Sequence, residues 1–135
     1  MAKIYFDAAT QGNPGLSSGA VVIITEENHT VKTYDLPYLD NHSAEWETLL
    51  RALDLASEMN VDNALIFTDS KLIEDSINQE NVKNDRFKPY LEKALSYSDA
   101  FALMFVKWVP RAQNKEANHH AQQALYKQAK QHKHK

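Results

Sequence analysis

Apolar and polar residues alternate at the start of the chain, and further along they recur with the period of a helix. The alternation at residues 4–9 predicts a strand that ends in a turn at 12–15. From position 41 or 42 to Met59 the spacing is helical, with Ser43 as the expected N-cap and Glu45 in the first turn. The remaining strands are predicted at 19–25, 29–37, 63–69 and 101–109, and the remaining helices at 71–78, 87–97 and 114 to about 130.

The order of these elements is three strands, a helix, a strand, two helices, a strand and a helix. Short links between the first three strands indicate an antiparallel meander. Helices that connect the later strands indicate right-handed crossovers between parallel strands. The sequence therefore predicts an α/β fold in which helices pack on a mixed sheet, as one domain at 1–130 followed by a basic tail at 131–135.

Composition and charge narrow the class of protein. The chain of 135 residues contains no cysteine, which excludes disulfides and thiolate metal sites. It has no apolar run long enough to span a membrane and no signal-peptide pattern, so we expect a cytoplasmic protein with no membrane partner. Residues 1–106 carry 8 Lys/Arg against 17 Asp/Glu, whereas residues 107–135 carry 7 against one. The basic end either binds a polyanion or is a solvated helix end.

Three carboxylates occupy related positions in the predicted fold. Asp7 lies in the first strand, Glu45 begins the long helix, and Asp69 ends the fourth strand. Each has a structural alternative, because Asp7 could cap the turn, Glu45 could be an acid that the helix dipole favours in the first turn, and Asp69 could be an N-cap. If the fourth strand lies beside the first, Asp7 and Asp69 are neighbours, and hard oxygen ligands of this kind suit Mg²⁺ or Mn²⁺.

The sequence resembles the ribonuclease H type 1 family from Ile4 to about Leu125. The resemblance rests on four segments in the expected order, which are Tyr5-Phe6-Asp7 with Gly12-Asn13-Pro14-Gly15, Asn41-His42-Ser43-Ala44-Glu45, Phe67-Thr68-Asp69-Ser70, and Asn114-Lys115-Glu116-Ala117-Asn118. It implies a five-stranded mixed sheet in the order 3-2-1-4-5, with the first three strands antiparallel.

The resemblance also implies an activity, which is hydrolysis of the RNA strand of RNA–DNA hybrids by a monomer. Two Mg²⁺ or Mn²⁺ ions about 4 Å apart would activate water and stabilise the leaving 3′-oxygen. Asp7 would bridge the ions, Glu45 and Asp69 would flank them, and Asn118 would be the fourth member of the catalytic and metal-binding set. The implied substrate-binding residues are Gly12, Asn13, Gly15, Asn41, His42, Ser70, Lys71, Arg111 and Asn114, several of them facing the minor groove, where 2′-hydroxyls mark RNA. Ser70 has an equal alternative as a helix-start residue.

Several positions depart from the family pattern. Asn118 stands where the family has a fourth acid, so we expect the activity to be retained at a reduced level. Arg111 lies in the loop where many members carry a mobile histidine, and it contacts either phosphate or a surface acid. Lys71 replaces a glutamine, and Asp40 replaces a hydroxyl residue near a phosphate. His119 and His120 are expected to be solvated.

Substrate affinity is expected to be modest. The family's basic insertion is missing at residues 79–86, and no hybrid-binding domain precedes Met1, so binding should be sensitive to salt. The basic last helix and tail would compensate in part. Two other interpretations stay open, namely a nucleic-acid-binding protein that Asn118 has made inactive and another nuclease of the superfamily, such as a 3′→5′ exonuclease or a junction resolvase.

Overall fold

The computed structural model describes residues 1–133 as a five-stranded mixed sheet with helices on both faces. The strands are β1 (Ala2–Gly12), β2 (Gly15–Ile24), β3 (His29–Leu39), β4 (Asn63–Thr68) and β5 (Leu103–Trp108). The helices are α1 (Asn41–Glu58), α2 (Lys71–Gln79), α3 (Lys88–Ser96) and α4 (Lys115–Lys133), with short 3₁₀ turns at Asp85–Phe87, Tyr97–Ala100 and Arg111–Gln113.

The sheet has the order β3-β2-β1-β4-β5, which confirms the predicted topology. β1, β2 and β3 are antiparallel neighbours, while β4 lies parallel to β1 and β5 parallel to β4. The pairing of β1 with β4 ends at Tyr5 and Phe67. Asp7 and Asp69 each lie two residues beyond that last pair, at the same edge of the sheet.

The two faces of the sheet pack against helices through side chains of different size. On one face Trp46, Leu49 and Leu53 of α1 are fully buried against the sheet. On the other face Ala9 and Ala20 allow α4 to approach closely through Ala121 and Leu125. Burial of this apolar area is the main stabilising contribution to the fold, at about 25 cal/mol per Å².

Two glycines are required by the packing around the first hairpin. Gly12 has a φ of +97°, which residues with a side chain rarely adopt. A Cβ on Gly19 would lie 2.3 Å from the Thr48 Oγ1 of α1, so β2 and α1 can meet only because this side chain is missing.

Several predicted boundaries are wrong. β1 continues to Gly12 instead of ending near residue 9, because it pairs with β2 along its whole length. Asp40, not Ser43, is the N-cap of α1, since its carboxylate accepts the Ser43 N–H at 2.9 Å. Glu45 consequently lies in the second turn of α1. The last helix runs to Lys133, and positions 134 and 135 of the predicted tail lie outside the described residues.

A membrane span is not found among the helices of residues 1–133, none of which combines the necessary length and apolar character.

Candidate active site

Three carboxylates converge at the edge of the sheet where β4 ends. Asp7 extends from β1, Glu45 from the second turn of α1, and Asp69 from the residue after β4. One oxygen of each carboxylate lies within 4.8 Å of the other two. The prediction that the first and fourth strands bring Asp7 and Asp69 together is confirmed. Oxygen donors at this spacing can hold a hard divalent cation.

The cluster is poorly solvated, and its charges repel one another. Asp7 is only 4% exposed, and burial raises its pKa to about 6, against the opposing effect of an Asn118 hydrogen bond. Burial also raises the pKa of Glu45 to about 7, against the lowering by a Ser70 hydrogen bond and with a further rise from the charges of Asp7 and Asp69. A cation placed between these groups would relieve both effects.

Two amides at the start of α4 hold two of these carboxylates. Asn118 Nδ2 donates to Asp7 Oδ2 at 2.8 Å. Asn114 Nδ2 donates to Asp69 Oδ2 at 3.3 Å and to the Phe6 carbonyl at 2.9 Å. Asn114 is only 1% exposed, and its expected contact with substrate stays a prediction. Sequence position alone placed it at the helix start and could not give the direction of its side chain.

The carboxylates line an open cavity of about 390 Å³. Arg111, from the 3₁₀ turn before α4, lines the same cavity, and its positive charge opposes part of the rise in the pKa values of Asp7 and Glu45. Within residues 1–133 the Arg111 guanidinium makes no salt bridge, so the surface ion pair considered as its alternative is not found. Gln122 also lines the cavity and was missed, although it lies one helical turn beyond Asn118.

The first turn and the start of α1 are joined by hydrogen bonds. The Asn41 N–H donates to Asn13 Oδ1 at 2.9 Å. The Thr10 hydroxyl donates to Asn41 Oδ1, a contact that sequence reasoning missed. Gly12 and Gly15 close the turn that presents Asn13, and a Cβ on Gly15 would lie 1.9 Å from the Gln11 carbonyl. Thr10, Asn41 and His42 line the cavity, and the exposed Asn13 lies beside Asn41.

Two other expected substrate-binding residues are engaged within the protein. Ser70 is buried and is the N-cap of α2, since its Oγ accepts the Ile73 N–H at 3.3 Å. Its role as a helix-start residue is therefore confirmed, and Asp69 is not the cap. Lys71 is exposed and pairs with Glu74 at 2.6 Å and with Asp75 at 3.6 Å.

The structure also places Asp40 and the two adjacent histidines of α4. Asp40, besides capping α1, pairs with Arg86 at 2.7 Å. The exposed His119 does not line the cavity described above, and His120 lies 3.6 Å from Glu116 on the same helix.

A Trp108 contact that sequence reasoning missed also reaches the cluster. The Trp108 indole donates to the Asp69 carbonyl at 3.2 Å, and its backbone N–H donates to Glu74 Oε2 at 2.7 Å. The end of β5 is thereby tied both to α2 and to the backbone of Asp69.

Comparison with known sequences gives relatives along nearly the whole chain. A family model described as reverse transcriptase-like matches residues 5–124. "Putative hydrolase EbsB" of Enterococcus faecalis is 38% identical over 129 residues, which are 94% of this chain and 96% of that protein. Ribonuclease HI of Halobacterium salinarum is 31% identical over 132 residues, covering 90% of this chain and 62% of that protein. The match with three mycobacterial relatives spans only 34% of their length.

Comparison with solved structures gives the same fold. RNase H1 of H. salinarum superposes with a TM-score of 0.88 at 26% identity, over 93% of this chain and 98% of that one. LC11-RNase H1, solved in complex with an RNA/DNA hybrid, superposes with a TM-score of 0.78 at 28% identity, over 88% of this chain and 92% of that one.

Proposed function

The chain belongs to the ribonuclease H type 1 family, as a short member, and we propose that it is a metal-dependent endoribonuclease that hydrolyses the RNA strand of RNA–DNA hybrids. Membership of that family makes it a hydrolase. The proposal rests chiefly on one observation, the convergence of Asp7, Glu45 and Asp69 at the edge of the sheet.

The donor set fits a divalent cation. Three hard oxygen donors lie within 4.8 Å of one another, and the raised pKa values of Asp7 and Glu45 reflect first their burial and then the neighbouring carboxylates. We propose that Asp7, Glu45 and Asp69 hold Mg²⁺ or Mn²⁺, with Asn118 as a neutral fourth member. Bound divalent ions would supply an activated water and charge stabilisation for the leaving 3′-oxygen.

Asn118 can serve as a ligand only if its amide turns over. Its Nδ2 now donates to Asp7, so its oxygen faces away from that contact. The loss of a charged ligand should lower cation affinity, while three carboxylates remain. We therefore expect reduced activity that is not abolished.

The rim of the cavity supports the substrate class. Asn41 and His42 are exposed and line the cavity of the carboxylates, while the exposed Asn13 is hydrogen-bonded to Asn41. Polar groups there can contact 2′-hydroxyls in the minor groove. Arg111 has no acidic partner in residues 1–133 and can neutralise phosphate charge. LC11-RNase H1, a structural neighbour, has been solved with an RNA/DNA hybrid. Monomeric state and cytoplasmic location stay predictions.

A second function is favoured by the same Asn118 contact. If the amide stays bonded to Asp7, the site lacks a ligand and the chain binds hybrids without cutting them. A nuclease for another substrate is the third possibility, because the name of the E. faecalis relative states only a hydrolase.

The test is cleavage of an end-labelled RNA–DNA hybrid at low salt, first in Mg²⁺ and then in Mn²⁺. Cleavage by the natural chain that Asp69→Asn abolishes would support the proposal. Cleavage only by Asn118→Asp would favour the inactive binding protein. No cleavage by either would contradict the hybrid as substrate.

A further inference from the structure

Asn114 is buried at the junction of β1, the Asp69 residue and the start of α4. We propose that Asn114 is a positioning residue, which orients the Asp69 carboxylate for cation binding. This inference rests on the proposed metal-dependent function. It assigns Asn114 an action on a metal ligand, which is distinct from the expected contact with substrate.

The contacts of Asn114 link four segments of the site. Its backbone N–H donates to the Arg111 carbonyl at 2.9 Å, and its carbonyl accepts the Asn118 N–H at 3.1 Å. Its side-chain amide donates to the Phe6 carbonyl, adjacent to Asp7, and to Asp69 Oδ2. One residue thus connects the Arg111 turn and the Asn118 helix with the strand of Asp7.

The orientation of the Asn114 amide is fixed by its two partners. The carbonyl of Phe6 and the carboxylate of Asp69 are both acceptors, so only the NH₂ group can face them. A flipped amide would bring its oxygen against two other oxygens. The amide keeps this orientation although its own Oδ1 is buried and has no hydrogen-bond partner within residues 1–133. An unsatisfied buried acceptor is unfavourable, so the two donor contacts must outweigh it.

Asp69 needs such a support because it follows the last residue of β4. Beyond Thr68 the strand no longer fixes the backbone, and the Trp108 indole holds the Asp69 carbonyl. The Asn114 amide donates to Oδ2 of the carboxylate and so restricts its rotation. Hydrogen bonds of this kind to a ligand carboxylate typically change cation affinity by about 10–100-fold when they are removed.

Gln128 offers a matched control on the same helix. It is also a buried amide, and it donates to the Ser17 carbonyl and to Ser18 Oγ, both at 2.7 Å. Gln128 therefore anchors α4 to β2 with two hydrogen bonds, as Asn114 anchors its start to β1, but its bonds do not reach a carboxylate of the cluster.

The experiment compares Asn114→Leu with Gln128→Met, which remove the amides and keep similar volume. Mn²⁺ is the probe, and its affinity is measured by the loss of the free-ion EPR signal, at a temperature where circular dichroism shows each variant folded. We expect both variants to lose thermal stability, and only Asn114→Leu to weaken Mn²⁺ binding, by about 10-fold. Asn114→Ala, which also removes the side-chain donor, replaces the leucine variant if that variant does not fold.

Two results would overturn the positioning role. One is Mn²⁺ affinity in the Asn114 variant within twofold of the natural chain, and the other is an equal loss in Gln128→Met, which would trace the effect to a loosened helix. Absence of Mn²⁺ binding by the natural chain would contradict both this inference and the metal-dependent function. Hybrid cleavage on the same samples separates the two claims, because intact Mn²⁺ binding without cleavage contradicts only the proposed substrate.

Discussion

Replacing Asn118 by aspartate should lower stability without a divalent cation, and the cation should recover part of that loss. In the natural chain the Asn118 amide donates to Asp7 at 2.8 Å. The substitution puts a second carboxylate in that place. Two full charges at that distance repel by about 6 kcal/mol at an effective dielectric constant of 20, which is a ceiling.

Protonation of the pair limits the cost. Because the pKa of Asp7 is already about 6, keeping one shared proton at pH 8 costs about 3 kcal/mol and restores a hydrogen bond. We therefore expect Asn118→Asp to lose about 3 kcal/mol at pH 8 in EDTA, or roughly 10 °C in melting temperature for a domain of this size. Near pH 5 the loss should almost vanish.

Saturating Mg²⁺ should recover about half of the loss at pH 8. A tenfold gain in Mg²⁺ affinity would add about 1.4 kcal/mol to its stabilisation by the ion relative to the natural chain. Thermal melts at pH 5 and pH 8, each with EDTA and with Mg²⁺, measure both effects. Gln123→Glu is the matched control, since it adds the same charge on an exposed position of α4. Equal stability of Asn118→Asp and the natural chain at pH 8 in EDTA would refute the contact between Asn118 and Asp7.

Three further predictions follow from individual contacts. Since the folded-state pKa values of Asp7 and Glu45 lie above the ordinary values of 3.8 and 4.5, the unfolded chain loses these protons first. Metal-free stability should therefore fall as pH rises from about 4 to about 7, by about 3 kcal/mol for Asp7 alone. Urea unfolding in EDTA at several pH values measures this fall. If Asp7→Asn leaves the dependence of stability on pH unchanged, the prediction is contradicted. Gly19→Ala should lower the free energy of unfolding by about 1–3 kcal/mol, because its Cβ meets Thr48. Adding Thr48→Ala to the same chain should recover part of that loss in denaturant unfolding. If the losses of the two single variants simply add in the double variant, the clash is contradicted. Combined replacement of Lys127 and Lys130 by alanine should reduce the salt dependence of hybrid binding by about one ion per lysine in contact with phosphate. If the slope of log affinity against log salt concentration does not change, these two lysines of α4 have no role in binding.

Local patterns of apolar and polar residues predicted most of the strands and helices. Alternation at the first strand and helical spacing after position 41 are local properties, and they predicted these element types correctly. Boundaries were less certain, because Asp40 and Ser43 can each cap a helix and only the folded chain selects between them. The resemblance to ribonuclease H supplied the strand order, which spacing alone left open.

The candidate site was predictable where backbone position sets the geometry. Asp7 and Asp69 meet because parallel neighbouring strands end at one edge of the sheet. The sequence could not give the direction of a side chain, so it did not show that the amide of Asn114 is buried and faces Asp69. The donor contact of Asn118 and the capping by Ser70 likewise depend on which partners the fold brings near.

Strand-specific cleavage tests the central claim most directly. Three duplexes of one sequence, an RNA–DNA hybrid, a double-stranded RNA and a double-stranded DNA, carry separate labels on each strand. They are incubated in Mg²⁺ or Mn²⁺ with the natural chain and with Asp69→Asn. If Asp7, Glu45 and Asp69 form a metal-dependent centre for hybrids, only the RNA strand of the hybrid is cut, internally and only by the natural chain. Cleavage of the DNA strand, equal cleavage of double-stranded RNA, or cleavage that survives Asp69→Asn would contradict the account.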